Sequence, residues 1–129
     1  MILQRSITNS VTTTGVGLHT GEKVNLTLHP ADEDQGIVFT RSDLETPIKI
    51  HVSPFMVTET KLCSTIGTDK FKISTVEHIM SALSASGIDN IIIDVNGSEI
   101  PIMDGSSIAF IHLIKSAKIK EQSNLKNLL

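Results

Sequence analysis

The stretch Ser74-Thr75-Val76-Glu77-His78-Ile79-Met80-Ser81-Ala82-Leu83-Ser84-Ala85-Ser86-Gly87 decides how the chain is read. Val76, Ile79, Met80 and Leu83 fall at i, i+3, i+4 and i+7, the interval that lays one apolar stripe along a helix. A helix is therefore predicted from Thr75 to Ser86. Ser74 stands three positions before Glu77, as in a capping box, and Gly87 falls where a left-handed residue ends a helix. Helical rotation turns His78 away from the stripe, toward the small residues Ser81, Ala82 and Ala85. Two readings of Glu77-His78 follow. In one, Glu77 only completes the capping box and His78 is a solvated outer-face residue. In the other, a carboxylate acting as general base and an imidazole acting as metal ligand meet at a helix start that faces another surface.

Working outward, the residues before this helix alternate at the two-residue period of a half-buried sheet. Val24-Asn25-Leu26-Thr27-Leu28 and Ile48-Lys49-Ile50-His51-Val52 both do so. The polar turn Pro30 to Gly36 leads into Ile37-Val38-Phe39, which predicts a hairpin or meander. Leu62 to Ile66 and Phe71 to Ile73 flank Gly67-Thr68-Asp69-Lys70 as two more strands. After the helix, Asn90 to Val95 is apolar and β-branched, and a second helix follows through Lys115, with Asp104, Ser106 or Ser107 as its cap. The segment Ile108-Ala109-Phe110-Ile111-His112-Leu113-Ile114 is apolar around most of its circumference, so it needs cover on more than one side. The sum is an α+β fold, a sheet of mostly antiparallel strands with two helices packed on one face.

A length of 129 residues predicts one domain with a core of its own. At 40% apolar and 19% charged, the chain is that of a folded protein. A net charge of -3 and only 3% aromatic residues supply neither the cationic excess nor the stacking surfaces of a nucleic-acid binder. No apolar run reaches the length of a membrane span, so no integral membrane segment is expected. Cys63 is the sole cysteine, which forbids an intrachain disulfide and fits a reducing compartment; a cytoplasmic location is expected.

Other candidates for chemistry are weaker. None of His19, His29, His51, His78 and His112 pairs with another at the spacing that sets two ligands on one helix face. Cys63 has no neighbour that marks an activated thiol and reads as packing. Gly15-Val16-Gly17-Leu18-His19-Thr20-Gly21 lacks the spacing of a phosphate loop, and its glycines permit a tight turn beside another backbone. Lys115, Lys118, Lys120 and Lys126 suit a helix C-terminus or an anionic partner.

With these residues in view, the chain resembles the N-terminal half of the UDP-3-O-acyl-N-acetylglucosamine deacetylase family, zinc amidases of lipid A biosynthesis in Gram-negative bacteria. Gln4-Arg5, Thr14 to Gly21, Leu62-Cys63, Ile73 to His78, Gly87-Ile88-Asp89-Asn90 and Glu99 to Ser106 carry the resemblance, in order and across the whole chain. It implies one of two similar α+β halves that meet helix layer to helix layer. By position, His78 resembles one of three protein ligands to a catalytic zinc, and Glu77 the general base that deprotonates the attacking water. Leu18 and His19 resemble the loop beside that site, and Leu62 and Cys63 residues near the channel for the substrate's acyl chain. The implied substrate is UDP-3-O-acyl-N-acetylglucosamine, whose acetamide is hydrolysed to acetate and free amine.

The family's other two zinc ligands, and the histidine that protonates the leaving amine, belong to the second half and have no counterpart in this sequence. Residues 1–118 are expected to form the domain. Residues 119–129, which end on Leu128-Leu129, are expected to be a linker or the start of the missing half. One imidazole does not hold zinc tightly, so the chain is expected to be inactive until that half is supplied. The competing expectation is a non-catalytic module that covers its helix layer by self-association.

Overall fold

The fold is described from a computed structural model for residues 2–52, 65–67 and 72–126. Its centre is a sheet of five strands: β2 (Val11–Val16), β3 (Lys23–Pro30), β4 (Ile37–Arg41), β5 (Ile48–Val52) and β8 (Ile91–Val95), in the order β2-β3-β8-β4-β5. All neighbours are antiparallel except β4 and β8, which run parallel. Two ribbons complete the strands: β1 (Leu3–Ile7) with β9 (Ile119–Leu125), and β6 (Thr65–Gly67) with β7 (Lys72–Ser74).

Alternation decides which face is buried. Leu26 pairs with Val95, Leu28 with Ile93, and Ile93 with Phe39, and all five side chains are fully buried on one face. Against them lie the helices α1 (Glu77–Ser86) and α2 (Ile108–Ser116), contributing Ile79, Met80, Leu83, Phe110 and Ile114. Thr12, Thr14, Asn25, Thr27, Thr40 and Asp94 occupy the other face, where Thr12 bonds Thr27, Thr14 bonds Asn25 and Thr40 bonds Asp94. The expected α+β architecture with both helices on one side is thus the one observed.

The hairpin expected from Val24 to Phe39 is not formed, because β8 lies between β3 and β4. Ile91 and Ile93 bury completely only where strands flank them on both sides. On α2 only Phe110 and Ile114 are fully buried; Ile111 and Leu113 are half-buried, and Ile108 is 57% exposed. The core covers one side of that helix and leaves apolar surface on another. Its first turn is reached by Ser106, whose Oγ accepts from the Ile108 N–H at 3.3 Å, while Ser107 makes no side-chain cap.

Residues Ile119–Leu125, within the stretch expected to be a linker or the opening of another half, form β9 along β1. A polar network holds it there. Gln122 accepts from Asn90 Nδ2 at 2.7 Å and donates to the Ala31 carbonyl at 2.9 Å, while Asn90 Nδ2 also donates to Gln4 Oε1 at 2.8 Å. Among the described residues, no helix is long and apolar enough to cross a membrane.

Candidate functional site

The start of α1 departs from the capping box. Ser74 ends β7, donates its N–H to the Ser98 carbonyl at 2.8 Å and accepts from the Ile100 N–H at 3.0 Å, so its backbone belongs to the sheet. The N-cap is Val76, which offers no side-chain oxygen. Glu77 is therefore released from capping. Its Oε2 is buried and finds no hydrogen-bond partner among the described residues. A buried acceptor left open is costly, on the order of 1–3 kcal/mol, and such groups concentrate where a ligand or reactant is received. This carboxylate stands in the first turn of α1, at the positive end of the helix dipole.

His78 is half-buried, whereas Ile79 and Met80 beside it are fully buried, in keeping with an imidazole turned from the core. Asp104 lies within electrostatic reach. The Ser106 hydroxyl and then the Ser106 N–H hold the Asp104 carboxyl below the usual carboxylate range, and the charge of His78 adds to this.

A second segment approaches through Glu99, a carboxylate only 2% exposed. The His19 N–H donates to both of its oxygens at 3.1 Å, the Thr20 N–H to Oε1 at 3.2 Å, and the Thr75 hydroxyl to Oε2 at 3.0 Å. The His19 ring reaches the same carboxylate, Nε2 to Oε2, at 3.9 Å and is otherwise largely open to solvent. Burial pushes the Glu99 carboxyl up, but the His19 and Thr20 N–H groups, the Thr75 hydroxyl and the His19 charge outweigh it and hold it low. Glu99 thus joins the His19 loop to Thr75, two residues before Glu77.

The glycines of that loop serve the close approach that their sequence suggests. Gly17 bridges Pro101, and a Cβ built on it would overlap the Glu99 carboxylate and the Thr20 hydroxyl. On Gly15 a Cβ would come within 2.6 Å of the Pro101 side chain. Leu18, 57% exposed, and Val16, 48% exposed, add apolar surface to the same segment. Leu62 and Cys63 lie outside the described residues. Nothing local in the sequence marks Glu99 for this role; its one signal is the pair Gly15 and Gly17, whose bare backbone must lie against something.

Among the described residues no group of three or more His, Cys, Asp or Glu side chains is placed to hold a metal ion. The donor set suits one arm of a zinc site: an imidazole free to ligate and, next to it, an unpartnered carboxylate able to take a proton.

The chain belongs to the UDP-3-O-acyl N-acetylglycosamine deacetylase family, whose profile matches residues 4–129. It is 52% identical over 131 residues to the UDP-3-O-acyl-N-acetylglucosamine deacetylases of Neisseria meningitidis serogroup B and Neisseria gonorrhoeae, covering 99% of this chain and 43% of each relative. To that of Chromobacterium violaceum it is 47% identical over 130 residues, covering all of this chain and 43% of the relative. The chain spans less than half the length of these relatives.

Proposed function

We propose that the chain is the N-terminal half of a cytoplasmic, zinc-dependent deacetylase that removes the acetyl group of UDP-3-O-acyl-N-acetylglucosamine in lipid A biosynthesis. The observation that carries this reading is the buried, unpartnered Oε2 of Glu77 beside the partly open imidazole of His78. Glu77 is the general base: its open lone pair takes the proton of the attacking water. His78 is the one zinc ligand that this chain contributes. When bound, zinc supplies polarisation of the acetamide carbonyl and a lowered pKa for water. His19 and Leu18 border the substrate, and Leu62 and Cys63 its acyl chain. The partly exposed Ile108 side of α2 is where the second half packs.

Two further protein ligands and the acid for the leaving amine come from that second half, so the chain alone turns over nothing. The test is amine release from the UDP-sugar by the purified 129-residue chain, with zinc titrated in parallel. Expected are no turnover and weak zinc binding that disappears in His78→Ala. Turnover by the isolated chain, or tight zinc binding that survives His78→Ala, would overturn the proposal. A stable dimer indifferent to zinc would instead favour the non-catalytic module.

A further inference from the structure

We infer that Glu99 is the positioning residue of this site, a single buried carboxylate that holds the His19 loop and the start of α1 in one fixed relation. The inference rests on the reading of Glu77 and His78 just given. A carboxylate as deeply buried as Glu99 is tolerable only while its lone pairs are filled, and here every donor is supplied by the chain itself. Those donors come from two segments far apart in sequence. Neither segment is free to move without stripping the other's anion of a bond.

Thr75 gives the coupling its direction. It is a β-branched residue at φ +62°, in the left-handed region that such side chains rarely adopt, and strain of this kind persists only where the surroundings over-determine it. The neighbouring peptides are fixed by the Ser74 bonds to Ser98 and Ile100, and the Thr75 hydroxyl is fixed by Glu99. Two residues later the chain enters α1 with Glu77 already in place. The bare backbone of Gly17 lets the carboxylate reach both sides at once. Glu99 does not itself react: both oxygens are engaged by backbone and hydroxyl donors, whereas Glu77 keeps one open. It acts through His19 and through Thr75.

The test is the amide and imidazole NMR spectrum of the 129-residue chain with Glu99→Gln. Hydrogen exchange at the His19 and Thr20 amides is expected to accelerate by on the order of ten-fold or more, as loss of charge-assisted bonds implies. The Glu77 amide and the His78 ring signals are expected to move as well, while Ile91–Val95 in the sheet centre stay put. Shifts confined to the Gly17–Gly21 loop would overturn the inference. Should Glu99→Gln fail to fold, Thr75→Val removes only the hydroxyl arm. It is expected to shift the His19 and Thr20 amides, which it does not touch, and unchanged amides there would equally overturn it. Neither readout involves turnover or zinc, so turnover by the isolated chain, or tight zinc binding that survives His78→Ala, would sink the functional reading and leave this result standing.

Discussion

Lys126 Nζ donates to the Gly87 carbonyl at 3.0 Å, tying the end of β9 to the C-terminus of the helix that opens with Glu77 and His78. The same ammonium meets Asp89 at 3.1 Å, and Asp89 in turn accepts from the Arg5 N–H at 2.8 Å. One end of α1 carries the candidate chemistry, and the other is clamped by both edges of the β1–β9 ribbon.

With β9 paired along β1 and clamped in this way, residues 119–126 are expected to contribute to the stability of the fold. A chain ended after Lys118 loses the partner strand of β1 and leaves the buried Asn90 and Gln4 without Gln122 and Leu125. It is expected to lose more than about 3 kcal/mol of stability, as broken buried polar networks do. Lys126→Met is expected to cost only about 0.5–2 kcal/mol, through the helix end and the half-exposed ion pair. Urea unfolding of the two variants beside the parent checks both; a full-stability chain ending at 118 would show β9 to be dispensable.

Gly17→Ala forces a methyl group onto the Glu99 carboxylate. Overfilling a tight contact costs about 1–3 kcal/mol, and here the displaced group is a buried anion. A fall in thermal midpoint is expected, with the His19 and Thr20 amides losing protection. An unchanged midpoint would mean that the loop has room to spare.

Acid should unfold the chain partly through Glu99. Its folded pKa lies below the ordinary 4.5, so the native state binds fewer protons than the unfolded chain near that value. The stability it contributes is complete above 4.5 and is lost as pH falls through the lower, folded value. Urea midpoints measured from pH 7 downward are expected to drop below 4.5 less steeply in Glu99→Gln than in the parent. Asp43, held low by its Arg41 bond, keeps part of the slope in both. Identical profiles would remove Glu99 from the acid response.

Local periodicity made α1 legible: the stripe of Val76, Ile79, Met80 and Leu83 is buried as read, and Gly87 closes the helix at φ 67°. The capping box was not realised because Ser74 was claimed by Ser98 and Ile100, residues no local pattern connects to it. β9 escaped notice for a related reason. Its stretch is largely polar, and it is held by Gln122, Asn90 and Gln4, whose complementarity appears only after folding. At the site, Glu77 and His78 stood out through resemblance and helical position. Glu99 did not, because its partners lie 80 positions away at His19 and 24 away at Thr75.

Complementation is the most direct measurement of the central claim. The 129-residue chain is mixed with the remaining portion of the Neisseria gonorrhoeae relative, and acetate release from UDP-3-O-acyl-N-acetylglucosamine is followed. Expected is chelator-sensitive turnover by the mixture, lost with His78→Ala and reduced about 10²–10⁴-fold by Glu77→Gln, the range for removing a general base. Turnover that survives both substitutions undiminished would contradict the account.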